Sequence, residues 1–187
     1  MSHLEKQFLE LLPDSLRDLD YEYWSDFSQI EQSCKWLKNC ANILDVGSGV
    51  GKFCIIGTQL LSSNFFGIEK NRRLHTQANV TLSHLTKHRV NFILGDLFKL
   101  PLSRYDGLYI YNPFVENISI GKKIDNSIAY DEKLYNDLHD QLMIRLDLLK
   151  SDSLVVNNSL VTDYFSDKFE LVDVHSDPSL TLWKKII

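Results

Sequence analysis

Residues 43–51, reading Ile-Leu-Asp-Val-Gly-Ser-Gly-Val-Gly, constrain this chain more than any other stretch. A short apolar run ends at Asp45, and glycines follow at alternate positions, Gly47, Gly49 and Gly51. The run predicts a strand over residues 43–47. The glycines predict a tight turn whose backbone can approach a ligand, because no Cβ stands in the way. Residues 50–61 then suit a helix. Strand, glycine turn and helix N-terminus together form a nucleoside- or phosphate-binding corner.

The turn is not a dinucleotide fingerprint. That pattern is GxGxxG, and its third glycine would fall at position 52, where Lys52 stands. Asp45 also lies two residues before the first glycine, where it would repel a pyrophosphate. A ligand carrying an amine or sulfonium meets no such repulsion.

The rest of the chain repeats the strand–helix alternation. Leu4, Phe8, Leu11 and Leu12 recur at helical spacing and Pro13 stops them. Residues 29–38 form a second helical pattern, with Ile30, Cys34 and Leu37 on one face. Strands are expected at 64–69, 90–94, 107–111 and 153–156, and helices at 72–87 and 132–149. Two further strands, 169–174 and 180–186, joined at Ser176-Asp177-Pro178-Ser179, read as a closing hairpin. Alternating strands and helices imply a parallel sheet covered on both faces. The plan is thus α/β: a seven-strand Rossmann-like sheet with helices on both faces and a C-terminal antiparallel hairpin. Residues 1–40 form an N-terminal helical cap segment packed on a core of residues 41–187, a single domain overall. The connection over residues 113–131 is long, and long loops at strand ends are often functional.

Two more carboxylates fall just past expected strand ends. Glu69 closes the second strand, where its two oxygens can each accept a hydrogen bond from a ribose hydroxyl. Asp96 follows the third strand, placed to accept from an exocyclic adenine amine while Leu97 or Phe98 covers the ring. Each alone is also an ordinary turn residue. Together with the glycine turn they lie at one rim of an open α/β sheet, where ligands bind.

These motifs, Asp45 to Gly51 with Glu69 and Gly95-Asp96, resemble those of the class I S-adenosylmethionine-dependent methyltransferases, over roughly residues 40–187. The resemblance implies S-adenosyl-L-methionine as cofactor. It implies that Asp45, Gly47, Ser48, Gly49 and Gly51 face its methionine part, that Glu69 holds the ribose, and that Asp96 and Leu97 frame the adenine. At the fourth strand end, Asn112-Pro113-Phe114 is similar to the Asn/Asp-Pro-Pro-Phe/Tyr motif of N-methyltransferases, with one proline missing. The resemblance implies that Asn112 and a backbone carbonyl accept hydrogen bonds from a target amine, and that the Phe114 ring stabilises developing positive charge. Asn112 also counts among the cofactor-facing residues. The other reading of the segment is a strand ended by proline with Phe114 in the core.

The acceptor expected on this reading is an amine nitrogen of a protein or small molecule. An RNA or DNA base is the runner-up, disfavoured by a formal net charge of −5 and the lack of a basic accessory region. The turn also resembles that of Dot1-type histone lysine methyltransferases, although their fourth-strand motif is Asn-Asn-Phe. A non-catalytic S-adenosylmethionine-binding module is the alternative of another class. Tyr21, Tyr23 and Trp24 either line an acceptor pocket or staple the first helices to the sheet. Three cysteines without a CxxC pair suggest reduced thiols in a cytoplasm. No metal site and no membrane segment are expected: the histidines show no ligand spacing with cysteines, and His84 and His88 read as a solvated helix face.

Overall fold

The computed structural model describes residues 2–85, 89–124, 128–159 and 165–187. The expected His88 of the His84/His88 pair, and residues 125–127 of the long connection, lie outside them.

Seven strands form one sheet: β1 (Asn42–Val46), β2 (Asn64–Glu69), β3 (Val90–Leu94), β4 (Gly107–Tyr111), β5 (Leu154–Asn158), β6 (Phe169–Val174) and β7 (Leu180–Lys185), in the order β3-β2-β1-β4-β5-β7-β6. The first five run parallel, and β7 pairs antiparallel with both β5 and β6. The order turns back between β1 and β4, and both neighbours deliver their C-terminal ends to the same rim. Ligands of open α/β sheets bind at such a switch point.

Residues alternate between the two faces along each strand. On one face Ile43, Phe65, Tyr109 and Val156 pack with helices α1 (His3–Glu10), α4 (Phe27–Trp36), α5 (Lys52–Leu60) and α6 (Arg72–Ser83). On the other, Leu44, Ile68, Leu108, Ile110 and Val155 pack against Leu142 and Leu146 of α7 (Glu132–Leu146). The run of α5 from Lys52 to Gly57 is buried all round, so this helix is an internal layer and not a surface one.

Differences from the sequence expectation have local causes. The helix after the glycine turn begins at Lys52 and not at Val50, because Gly51 is left-handed (φ 83°). β5 runs on to Asn157 and Asn158, which pair with β4 and β7 although their side chains are polar. The stretch between the first two expected helices holds two more short ones, α2 (Asp14–Arg17) and α3 (Asp20–Tyr23). Pro13 stops α1 as expected but also opens α2, since its fixed φ suits a helix start.

Candidate active site

The glycine turn is built from backbone geometry that L side chains resist. Gly47, Gly49 and Gly51 all have positive φ. At Gly51 a Cβ would stand 2.3 Å from the Phe92 ring, and at Gly49 one would stand 2.9 Å from Trp24 Nε1. The amides of Gly47 and Ser48 both donate to the Ile68 carbonyl at 3.0 Å, which fastens the turn to β2.

Glu69 completes it. Its Oε2 accepts from the Gly49 amide at 2.9 Å and its Oε1 from the Asn71 amide at 2.6 Å. Burial raises the pKa of this carboxyl, against the backbone donors that lower it. Each oxygen retains a second lone pair to offer a ligand hydroxyl. Asp96 caps the 3-10 turn Leu97–Lys99 by accepting from the Phe98 amide at 3.0 Å.

One cavity of about 1010 Å³ lies along this rim. Gly47, Gly49, Glu69, Asp96, Leu97, Asn112, Pro113 and Phe114 all line it. Three of the expected positions do not. Asp45 is buried behind the turn, where Cys54 Sγ donates to its Oδ2 at 3.6 Å. Burial pushes the Asp45 carboxyl up to about 8, with the Cys54 thiol pulling it down and Glu69 adding to the rise. Ser48 and Gly51 also stand back from the cavity, and among the described residues the buried Ser48 hydroxyl has no hydrogen-bond partner.

Asn112 and Phe114 are two of the three non-glycine residues with positive φ among the described residues, at 36° and 68°. Backbone of this kind persists only where its surroundings hold it, and such residues cluster at functional sites. The Phe114 ring stacks on Phe98 with centroids 6.1 Å apart.

The aromatic N-terminal stretch divides. Tyr23 and Trp24 line the cavity, whereas Tyr21 is 95% exposed and stands clear of it. The Tyr23 hydroxyl donates to the Lys122 carbonyl at 2.5 Å and lies 3.1 Å from Ser119 Oγ, so the cap meets the long connection above the cavity.

Several site features carried no recognisable sequence signal. Lys52, noted only as the residue in place of a glycine, is 2% exposed and reaches Glu5 Oε1 at 3.0 Å and Asp20 Oδ1 at 2.8 Å. It ties the first and third helices to the helix that opens from the glycine turn. Ile124, Ile128, Leu134 and Leu138 supply an apolar wall, while Glu116 and Asp131 add carboxylates beyond β4. The cations Lys70, Arg72 and Arg73 line the other end, after β2. Among the described residues no cluster of His, Cys, Asp or Glu could hold a metal ion, and no helix is long and apolar enough to cross a membrane.

Comparison with known proteins agrees with this fold. The family model of protein-L-isoaspartate(D-aspartate) O-methyltransferase matches residues 23–107. A bifunctional methyltransferase of Rickettsia felis is 26% identical over 144 residues, 72% of this chain. The chain spans only 24% of that relative's length. The putative methyltransferase yhhF of Escherichia coli superposes with a TM-score of 0.65 at 13% identity, over 94% of this chain and 90% of its own. An RNA methyltransferase from Salinibacter ruber, solved with S-adenosyl-L-homocysteine, gives a TM-score of 0.51 at 17% identity, over 86% of this chain and 91% of its own. At such identities these two likenesses speak for the fold.

Proposed function

We propose that this chain, a member of the class I S-adenosylmethionine-dependent methyltransferase superfamily, transfers a methyl group to an amine nitrogen of a protein or small molecule. The observation that carries the reading is one continuous cavity. It joins the glycine turn, Glu69 and Asp96 on one side of the switch point to the strained Asn112-Pro113-Phe114 segment on the other.

The residues present fit the cofactor. The turn glycines allow close backbone approach, Glu69 has lone pairs for the ribose hydroxyls, Asp96 is placed for the adenine amine, and Leu97 offers an apolar cover for the ring. Asp45 acts from behind the turn, on its shape. The cofactor, when bound, supplies a methyl group on a sulfonium that is already a good electrophile.

The protein's own task is alignment and exclusion of water. Asn112 Oδ1 and the Pro113 carbonyl accept hydrogen bonds from the amine, which points its lone pair. The Phe114 face stabilises the positive charge that builds on nitrogen as the bond forms. Tyr23 and Trp24, with Ile124 and Ile128 from the described part of the 113–131 connection, wall the cavity.

Charge favours an amine over a carboxyl acceptor. The isoaspartyl methyltransferase match ends at residue 107, before the acceptor segment begins. Beyond β4 the charged residues lining the cavity, among those described, are Glu116 and Asp131, which favour the positive charge that develops on a neutral amine as it is methylated and repel a carboxylate. An RNA base remains the second reading, favoured by Lys70, Arg72 and Arg73 at the cavity's other end. The three free cysteines are buried and fit a reducing, cytoplasmic setting.

The test is methyl transfer from labelled S-adenosylmethionine into a cell extract, fractionated into protein, nucleic acid and small molecules. Label in the protein or small-molecule fraction is expected, lost in Asn112→Ala while binding of S-adenosylhomocysteine is kept. Label confined to nucleic acid refutes the acceptor assignment.

A further inference from the structure

His139 is a buried titratable group that the scheme above leaves unused. It lies on α7 and is 4% exposed. Among the described residues neither ring nitrogen meets a hydrogen-bond partner at full geometry. Its ring meets the Phe114 ring edge-on, with centroids 5.7 Å apart and planes at 88°, and lies 4.5 Å from the Tyr135 ring. The Pro113 backbone acts on the ring electrostatically, as does Asp140, without a full hydrogen bond to either nitrogen. Burial lowers the His139 pKa below its ordinary 6.5, more than the Pro113 carbonyl raises it, so the ring is neutral near pH 7.

A phenyl ring would fill the same space without burying two polar nitrogens, and such orphaned atoms cost stability. The imidazole therefore calls for a reason. Its neighbours supply one. Phe114 and Asn112 hold left-handed backbone that packing must maintain, and Pro113 lies between them. Neutral imidazole carries one N–H, which can turn towards the Pro113 carbonyl.

We propose that His139 is a positioning residue: its ring supports Phe114 and its N–H orients the Pro113 carbonyl, so that this carbonyl and the Asn112 side chain meet the acceptor amine together. The inference rests on the amine reading above.

It can be tested without knowing the acceptor. Sinefungin carries an amine-bearing carbon in place of the methylsulfonium of S-adenosylmethionine, whereas S-adenosylhomocysteine carries neither. The extra affinity for sinefungin therefore reads the hydrogen-bonding clamp directly. Calorimetric titration of the full chain should show sinefungin binding roughly tenfold tighter than S-adenosylhomocysteine, the scale of one charge-assisted hydrogen bond. His139→Phe, which keeps a ring against Phe114, should cut that preference by about threefold or more, with S-adenosylhomocysteine affinity unchanged. His139→Gln, which restores a donor, should recover it. Asn112→Ala should cut it too. A preference that survives His139→Phe but falls in Asn112→Ala overturns the role of His139 alone. Equal loss of both ligands in His139→Phe reveals a merely structural residue and also overturns it. A preference that survives Asn112→Ala overturns the amine reading, and the inference with it.

Discussion

Replacing Lys52 with Met removes the cation from a buried three-member cluster. The Lys52 side chain is 2% exposed, that of Glu5 11% and that of Asp20 23%. Methionine fills most of the space, so the cost is electrostatic: two carboxylates lose the ammonium 3.0 and 2.8 Å away. Removing one partner of a buried ion pair costs about 3–5 kcal/mol. Asp20 retains some solvent access, which places the expectation near the lower end. For a domain of this size each kcal/mol moves Tm by about 2–4 °C, so a fall of at least about 6 °C is expected at pH 7.5. The loss should shrink in acid. Burial already raises the Asp20 pKa despite Lys52. A carboxyl with a raised folded pKa costs stability above that pKa, and the cost relaxes as pH falls through it. Without Lys52 the rise is larger and the relaxation begins at higher pH. Adding Glu5→Leu and Asp20→Asn should recover most of the loss, because the uncompensated charges are then gone. Thermal unfolding of the three proteins between pH 4.5 and 7.5 decides it. A fall under about 2 °C, or a deficit that does not narrow towards pH 4.5, refutes the account of Lys52 as a buried electrostatic tie.

Glu69→Ala removes both the hydroxyl acceptors and the bonds to the Gly49 and Asn71 amides; calorimetry should show S-adenosylhomocysteine binding weakened by roughly tenfold to a hundredfold. Asn112→Ala should leave that affinity intact while labelled methyl transfer falls about a hundredfold, in keeping with loss of one preorganised acceptor. The Asp45 carboxyl, pushed up to about 8 by burial, is protonated in the folded state over a range where the unfolded chain has lost the proton. Stability from this group therefore declines as pH rises from about 4 to 8. Asp45→Asn removes the titration and keeps an oxygen for Cys54, so its Tm advantage over the parent should grow from pH 5 to pH 9; a flat difference refutes it. His139→Phe should unfold at or above the parent temperature, since it removes two buried nitrogens that meet no full hydrogen bond among the described residues.

The sheet was legible because its strands announce themselves. Residues 64–69, 90–94, 107–111 and 169–174 coincide with β2, β3, β4 and β6, the first three mainly apolar runs and the last an alternation broken by Glu170 and Asp173. Less visible were elements whose residues contradict local propensity. Asn157 and Asn158 are polar, yet pairing on both sides draws them into β5. The helices α2 and α3 span four residues each, too short to show a period. The site divides along the same line. Positions defined by backbone, the turn glycines and the carboxylates at strand ends, follow from spacing and topology. Positions defined by tertiary approach do not: nothing in the sequence says that Lys52 meets Glu5 and Asp20, that Tyr23 reaches the Lys122 carbonyl, or that His139 comes under Phe114 from a helix that begins 18 residues further on. Asp45 shows the same limit from the other side. Its place in the motif is plain from sequence, but the strand's two-residue period turns its side chain towards Cys54 and away from the cavity. What the chain encodes locally is the frame for the cofactor. The proposed acceptor half draws on the N-terminal residues Tyr23 and Trp24, the described part of the long connection and α7, three segments that no single motif spans, and its chemistry becomes readable only once they are packed together.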